Sequence, residues 1–249
     1  MKNYELETKQ RTAFIRDCIA SAGAAGVVYG NSGGKDSALV GILCKMACDD
    51  TVGLIMPCGS KQNYETDKAD AETVAQQFAI AVRLVDLSDA KNELARALGA
   101  TTQCNDAALA NMAPRLRMAA LYAVAASENR LVAGTGNRSE GYMGYFTKWG
   151  DGAFDFNPIA DLTVSEVYEF LRHLDAPARI ISKAPSGGLF DGQTDESEMG
   201  ISYRSIDEFL LAGTVNEHDR AIMERFHKAS EHKRNMPIAF AGHVSGSAL

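Results

Sequence analysis

The chain has 249 residues, of which 46% are hydrophobic and 23% are charged, and its formal net charge is -7 at pH 7. This is the composition of an ordinary globular protein, and it excludes broad disorder. The acidic balance also argues against a protein that binds nucleic acid mainly through phosphates, because that mode of binding needs a basic face.

The N-terminus lacks the apolar segment of a secretory signal, and no run of about 18 apolar residues occurs anywhere. We therefore expect a cytoplasmic protein without a membrane segment. No repeat or low-complexity linker interrupts the chain, so residues 1–249 are predicted to form one domain. The five cysteines form no CxxC pair, which favours reduced thiols over a disulfide framework or a zinc ribbon.

The first half of the chain alternates short apolar runs with longer amphipathic stretches. This alternation predicts an α/β fold with an open, mostly parallel sheet and helices on both faces. Ligands of such sheets bind beyond the carboxyl ends of the strands. After residue 135 the strand signal fades, and a loop-rich and helical C-terminal part is expected. The predicted strands cover residues 25–29, 52–56, 82–85 and 131–133, and the predicted helices cover 36–48, 64–79, 88–98 and 105–128.

The predicted helix at 105–128 is longer than average and carries an apolar stripe that includes Leu109, Met112 and Leu116. Such a stripe usually packs into a core. A dimer interface is the alternative, and the pattern alone does not choose between the two.

A glycine-rich loop follows the first predicted strand and leads into a helix. This arrangement presents free backbone N–H groups and the positive end of a helix dipole to an anion. The loop is not a Walker A sequence, because Asp36 follows Lys35 where that motif needs Ser or Thr. Its SGGxDS pattern resembles the pyrophosphatase-type loop of enzymes that cleave ATP between the α and β phosphates; a glycine-rich helix start without a ligand is the alternative. The loop consists of Gly30, Asn31, Ser32, Gly33, Gly34, Lys35, Asp36 and Ser37.

Further motifs follow in order along the second half of the chain. Together with the loop they resemble the motifs of the NAD synthetase family, and the resemblance extends to about Arg234. It implies an adenine-nucleotide alpha-hydrolase-like fold, ATP as co-substrate, Mg²⁺, and amidation of deamido-NAD to NAD with release of AMP and pyrophosphate. The motifs cover residues 111–118, 134–140, 144–151, 158–162, 183–186, 192–196 and 231–234.

By this resemblance, each matching position carries an expected role. Taken singly, each charged residue among them is also typical of an ordinary solvated surface. Mg²⁺ ligands are expected at Asp36 and Glu140, and catalytic roles are expected at Asp36, Asp151 and Lys148, with Asp151 near ammonia. Contacts with ATP are expected from Gly30 to Ser37, Thr135 and Ser186. Contacts with deamido-NAD are expected from Arg115, Lys148, Asp155, His232 and Lys233.

The family chemistry implies that the nicotinate carboxylate attacks the α-phosphate of ATP, and that ammonia then attacks the resulting acyl-adenylate. A glutamine-dependent version needs an attached amidase domain, for which 249 residues leave no room, so free ammonia is the expected donor. The resemblance also implies a homodimer whose dinucleotide site lies near the subunit interface.

One position departs from the family pattern: Val164 stands where a lysine that contacts ATP phosphates is usual. Lys35 and Lys183 are the candidates to replace that charge. Two rival interpretations follow, a nucleotide-binding sensor that has lost catalysis, and another ligase of the same loop superfamily that acts on a tRNA base or a purine nucleotide. The acidic net charge and the later motifs argue against the other ligase. The two retained acids that are expected to bind a metal argue against the sensor.

Overall fold

The computed structural model describes residues 2–59, 63–183 and 194–240. Its centre is a sheet of four parallel strands in the order β3-β2-β1-β4. The strands are β1 (Gly26–Gly30), β2 (Thr51–Ile55), β3 (Ala81–Leu84) and β4 (Arg130–Ala133).

Helices connect and cover the strands, and a π-helical turn at Asn63–Asp67 precedes the third helix. In the described part of the chain, none of these helices has the length and apolar character that a membrane crossing requires. They are α1 (Tyr4–Ala22), α2 (Lys35–Ala47), α3 (Lys68–Gln77), α4 (Ser88–Gly99), α5 (Asp106–Ala110), α6 (Met112–Glu128), α7 (Arg138–Met143), α8 (Val164–His173), α9 (Ala178–Ser182), α10 (Asp195–Met199), α11 (Tyr203–Ala212), α12 (Glu217–Ala229) and α13 (Glu231–Arg234).

The parallel α/β prediction is confirmed. Each predicted strand is present, with its ends within one residue of the predicted ones. Helix α1 is not among the predicted elements, because two of its four buried residues, Arg11 and Thr12, are polar and interrupt the apolar stripe.

The prediction of a single helix at 105–128 is wrong, because the chain forms two helices, α5 and α6, that meet at Asn111. The Asn111 side chain donates to the Ala107 carbonyl oxygen at 2.7 Å. Pro114 lies in the first turn of α6, where backbone N–H groups have no partner within the helix. In one continuous helix its ring would clash with the carbonyl of Ala110, so the chain starts a new helix before the proline.

Side chains of β1 alternate between two cores on opposite faces of the sheet. Val27 and Tyr29 pack with residues of α1, α2 and α8, whereas Val28 packs with residues of α6. Burial on both faces explains why β1 and β2 read as apolar runs, whereas all four residues of the edge strand β3 are exposed. A third apolar cluster joins residues from α7 to α12 around Met143 and Val164.

The strand order determines where a ligand can bind. Strands β2 and β3 lie on one side of β1, and β4 lies on the other. The segments that follow β1 and β4 therefore diverge, and such a reversal opens a crevice at the carboxyl ends of the strands. After β4, Gly134 N donates to the Phe156 carbonyl oxygen at 2.8 Å, which holds the following segment beside the sheet.

Arg11 ties α1 to the segment that leads into α8. Its guanidinium donates to the Pro158 carbonyl oxygen at 2.5 Å, to the two carboxylate oxygens of Asp161 at 2.6 and 2.8 Å, and to Glu7 at 2.6 Å. Only 9% of Arg11 is exposed. The hydrogen bonds from Arg11 outweigh partial burial and hold the pKa of Asp161 below its ordinary value.

We expect Arg11→Met to lower the free energy of unfolding by about 2–4 kcal/mol at pH 7, because a buried carbonyl and two carboxylates lose their donor. Since folding lowers the pKa of Asp161, its contribution is complete above about pH 4 and is lost as the pH falls through the folded-state pKa. The difference between variant and wild type should therefore shrink in acid. Urea unfolding at neutral and at acidic pH measures both effects.

Arg204→Met is the matched control, because Arg204 forms an exposed helix pair with Glu208. Its loss should stay within about 0.5 kcal/mol. Equal losses in the two variants would contradict the anchoring role of Arg11.

Candidate functional site

A cavity of 1340 Å³ opens at the carboxyl ends of β1 and β4. Its walls include the phosphate loop (residues 30–37), the segment 134–140, the turn at 147–152 and parts of α6, α12 and α13. Ligand pockets usually measure about 300–1,000 Å³, so this cavity has room for more than one small molecule.

The phosphate loop turns the chain from β1 into α2. Gly33 has a φ of 73°, and a Cβ at this position would lie 2.1 Å from the Asp67 carbonyl oxygen, so the loop requires glycine there. Gly34 is the extended residue before α2, and its N–H contacts the Ser32 hydroxyl at 3.3 Å. The positive end of the α2 dipole therefore faces the cavity.

Lys183 holds this loop against the start of α3. Its ammonium donates to the Gly33 carbonyl oxygen at 3.3 Å and pairs with Asp67 and Asp70 at 2.8 and 2.7 Å. Arg179 also pairs with Asp70, at 2.5 Å. Because two carboxylates would compete with a phosphate for the Lys183 ammonium, the geometry favours a clamp that fixes the loop.

Asp36 and Glu140 come together in the cavity wall with Lys35 between them. The Lys35 ammonium lies 2.7 Å from Asp36 and 3.8 Å from Glu140. Burial, followed by the charge of Asp36, raises the pKa of Glu140 above its ordinary value. Burial alone would lower the pKa of Lys35, but the charges of Asp36 and Glu140 outweigh it and the pKa rises.

A capping box at the start of α7 positions Glu140. The Asn137 side chain accepts a hydrogen bond from Glu140 N at 3.0 Å, and the Glu140 carboxylate accepts one from Asn137 N at 3.2 Å. Asn followed three residues later by Glu is a sequence signature of such a box. Asn137 also donates from its side chain to Asp36 at 3.1 Å, so one residue orients both acids.

The turn at 147–152 presents Asp151 to the cavity. Thr147 N donates to the Asp151 carboxylate at 2.8 Å, and the N–H groups of Gly150 and Gly152 donate to the Thr147 carbonyl oxygen at 2.9 and 3.2 Å. Desolvation by the cavity wall raises the pKa of Asp151 above its ordinary value, and the hydrogen bond from Thr147 N opposes this effect, although the residue remains accessible from the cavity.

Lys233 reaches the cavity from α13. Its ammonium donates to the carbonyl oxygens of Gly144 and Phe146 at 2.8 and 2.7 Å. Burial lowers the pKa of Lys233, and the charge of Asp151 opposes this effect.

The structure brings most predicted ATP and metal residues into the cavity wall and leaves four predicted dinucleotide residues outside it. Arg115 is exposed on α6. Lys148 donates to the His232 carbonyl oxygen, and Asp155 accepts from Val132 N at 2.7 Å. The roles of these residues stay predictions, and Ser186 lies outside the described residues. The predicted residues that line the cavity are Gly30, Asn31, Ser32, Gly34, Lys35, Asp36, Ser37, Thr135, Glu140, Asp151 and Lys233.

Arg117 lines the cavity and was not among the predicted site residues. Its guanidinium donates to the Met56 carbonyl oxygen at 3.0 Å, and burial lowers its pKa. Arg115 and Arg117 point about 200° apart on one helix, so only one of them can face the cavity. Arg117 lies four residues from Ala113 and four from Leu121, which both pack on the apolar side of α6, and this spacing is the signal that identifies it.

Comparisons with known proteins agree with this geometry. A family model described as NAD synthase matches residues 7–237. A Carboxydothermus hydrogenoformans protein named NH(3)-dependent NAD(+) synthetase is 44% identical over 238 residues, which cover 94% of this chain and 97% of that protein.

Two solved structures are similar over nearly the whole chain. An NMN synthetase from Francisella tularensis has a TM-score of 0.91 and 36% identity, covering 96% of this chain and 99% of that one. An NH3-dependent NAD synthetase from Campylobacter jejuni, in complex with the nitrate ion, has a TM-score of 0.80 and 28% identity, covering 97% and 100%. Because the family match and these relatives all extend over most of its length, the chain belongs to the NAD synthase family.

Proposed function

We propose that this chain is a ligase that amidates deamido-NAD to NAD with ATP and free ammonia. The observation that carries the proposal is one cavity that joins the phosphate loop, the acids Asp36 and Glu140, and the carboxylate of Asp151. The reaction requires a binding site for a polyphosphate, negative charge that holds a metal, and a carboxylate that binds ammonium, and these groups supply the three in that order. The Carboxydothermus hydrogenoformans relative bears this activity in its name.

ATP is the co-substrate, and its phosphates are proposed to bind at the N-terminus of α2, with Thr135 contributing from the end of β4. Mg²⁺ fits the pair Asp36 and Glu140, because it binds through one or two carboxylates and completes its shell with phosphate oxygens and water. The Lys35 ammonium between the two acids supports the fit, since a cation already stands there.

In the first step, an oxygen of the nicotinate carboxylate attacks the α-phosphorus of ATP. The bond to the β-phosphate breaks, which yields an acyl-adenylate and pyrophosphate. Backbone N–H groups of the loop and the α2 dipole stabilise the charge that grows on the departing pyrophosphate, and bound Mg²⁺ would add positive charge there. Alignment of the two anionic reactants can supply on the order of 7–11 kcal/mol of the barrier.

In the second step, ammonia attacks the adenylate carbonyl carbon and AMP leaves. Ammonium must first lose a proton, and Asp151 is the proposed acceptor. The raised pKa of Asp151 suits this role, because a general base works best when its pKa approaches the operating pH. In the described part of its wall, the cavity contains no cysteine that could release ammonia from glutamine.

Asp151→Asn should lower kcat/KM for ammonium by about 10²–10⁴-fold and leave the KM for ATP unchanged, because it removes the proton acceptor. The asparagine oxygen can still accept the Thr147 N–H, which preserves the turn. Initial rates over a range of ammonium concentrations measure the effect, with Asp17→Asn on the exposed side of α1 as the control. An unchanged ammonium dependence would remove Asp151 from the ammonia site.

Nicotinic-acid mononucleotide is a second candidate substrate. The Francisella tularensis structure, named an NMN synthetase, has a TM-score of 0.91 against 0.80 for the Campylobacter jejuni enzyme. The acid-to-amide chemistry is the same for both substrates.

The deciding experiment measures amide formation from each nucleotide with ATP, Mg²⁺ and ammonium, while AMP and pyrophosphate are quantified. Stoichiometric NAD, AMP and pyrophosphate from deamido-NAD would support the proposal. A higher kcat/KM for the mononucleotide would instead favour the second candidate. Glutamine in place of ammonium should give no product, and absence of product from both nucleotides would reject the ligase.

We also infer that residues 1–249 form a single domain and that two chains form a homodimer. The family match extends over residues 7–237, as a single domain requires.

Helix α4 is amphipathic but has no buried residue, and Leu94 is 39% exposed. On the edge strand β3, which precedes α4 in the chain, Leu84 is 54% exposed. An uncovered apolar face of this kind is typical of a subunit interface, and sedimentation equilibrium tests the dimer.

A further inference from the structure

Every carboxylate oxygen of the acid pair faces a cation or a hydrogen-bond donor from the protein itself. Lys35 Nζ lies 2.7 Å from Asp36 Oδ2 and 3.8 Å from Glu140 Oε1. Asn137 occupies the other two oxygens, with its side chain 3.1 Å from Asp36 Oδ1 and its backbone N–H 3.2 Å from Glu140 Oε2. A carboxylate oxygen that accepts one hydrogen bond can still bind a metal, so Asn137 does not exclude a divalent cation; the Lys35 ammonium, which faces one oxygen of each acid, is the group that a shared cation would meet.

The Lys35 ammonium is the group that stands where a shared cation would bind. Its side chain is only 6% exposed, so it has given up most of its hydration. The rings of Tyr168 and Tyr203 lie on other sides of it, with their centroids 5.9 and 5.7 Å from Nζ. Carboxylates and aromatic faces thus replace the water around this ammonium.

We propose that Lys35 is a tethered cation that offsets part of the negative charge of Asp36 and Glu140 while the metal is absent and gives up this place to the divalent cation that enters with the nucleotide. This inference rests on the proposed metal site. Mg²⁺ needs oxygen ligands at about 2.0–2.1 Å in octahedral geometry. An ammonium 2.7 Å from Asp36 Oδ2 and 3.8 Å from Glu140 Oε1 stands in the space that such an ion and its remaining ligands would need. The two positive charges would also repel each other strongly at such a short distance.

The displaced ammonium has a place to go. Lys35 lines the cavity at the start of α2, and its flexible four-carbon stem lets the charge turn from the acids to the phosphates beside them. Val164 belongs to the same apolar cluster as Tyr203 and brings no charge to this region. Lys35 from the loop thus replaces the positive charge of the lysine that is usual at position 164. Its ammonium becomes available to the phosphates when the metal binds the two acids.

Mn²⁺, which shares the preference of Mg²⁺ for oxygen ligands, serves as the probe and is titrated alone into the nucleotide-free protein, with binding followed by electron paramagnetic resonance. Lys35→Met should bind Mn²⁺ on the order of tenfold tighter than the wild type, because no tethered charge competes for the acids. The matched control is Lys68→Met, since Lys68 also lines the cavity at the first position of a helix, and it should bind Mn²⁺ as the wild type does. Lys35→Gln is the second neutral variant if Lys35→Met does not fold.

A second readout separates competition from a purely structural role. Mg²⁺ alone should raise the melting temperature of Lys35→Met more than that of the wild type, whereas a structural lysine would lower stability without changing the response to metal. Equal or weaker Mn²⁺ binding by both neutral variants would overturn the inference.

The double variant Lys35→Met with Asp36→Asn keeps the two proposals apart. If it binds Mn²⁺ as tightly as Lys35→Met does, the metal site of the proposed function is wrong. If Asp36→Asn abolishes Mn²⁺ binding but Lys35→Met does not tighten it, the metal site stands and only the tethered cation is wrong.

Discussion

Asp36→Asn is expected to lower NAD formation on the order of 10³-fold while the protein stays folded. Asparagine keeps the size of the side chain and can still accept the Asn137 hydrogen bond, but it has no negative charge to hold a metal against the phosphates. A loss of that size corresponds to about 4 kcal/mol of transition-state stabilisation. The kcat of NAD formation measures it, and calorimetric binding of deamido-NAD should be unchanged.

Asp49→Asn is the matched control for this variant, because the Asp49 side chain is fully exposed at the end of α2. It should form NAD at the wild-type rate. If Asp36→Asn also keeps a rate close to that of the wild type, Asp36 does not act in adenylation and the assignment of the metal site fails.

Gly33→Ala is expected to raise the KM for ATP on the order of 10²-fold and to lower the free energy of unfolding by about 2–5 kcal/mol. Two causes add. A left-handed φ of 73° strains any residue with a Cβ, and that Cβ would lie 2.1 Å from the Asp67 carbonyl oxygen, where backbone must shift. The shift also disturbs the contact between Lys183 and the Gly33 carbonyl oxygen.

Gly23→Ala separates the two causes, because Gly23 has a φ of 60° at the end of α1 but open space around its Cβ position. Its loss should be about 1–2 kcal/mol, with ATP binding unchanged. Urea unfolding and calorimetric ATP binding compare the two variants. Equal losses of stability would mean that the close approach of Gly33 to Asp67 does not hold the loop.

Several features of the site were within reach of the sequence. Strands and helices follow from local periodicity, because a strand buried on both faces reads as an apolar run and a covering helix reads as a stripe. The phosphate loop is recognisable because glycines stand where a strand meets a helix. Glu140 is identified both by its family motif and by the capping box with Asn137, which spans only four residues.

Other features depend on contacts that no local pattern contains. Arg117 lines the cavity and Arg115 does not, and this difference depends on which side of α6 faces the cavity. The carboxylate of Asp155 accepts the backbone N–H of Val132, a contact that the sequence does not reveal, and the substrate role of Asp155 stays a prediction. The break at Asn111 is an intermediate case, since Pro114 signals it but a long apolar stripe obscures the signal.

The sequence by itself determined the four strands and the glycine-rich loop between β1 and α2, because each is encoded by neighbouring residues, and the family resemblance pointed to the two acids. Only the tertiary structure decided that the Lys35 ammonium stands between those acids and that Val164 lies in an apolar cluster. The acids lie in α2 and α7, the helices that follow β1 and β4, and the contact between Asp36 and Asn137 joins residues 101 positions apart. Such pairings arise from the strand order of the sheet, which places distant segments side by side and so decides which charges meet.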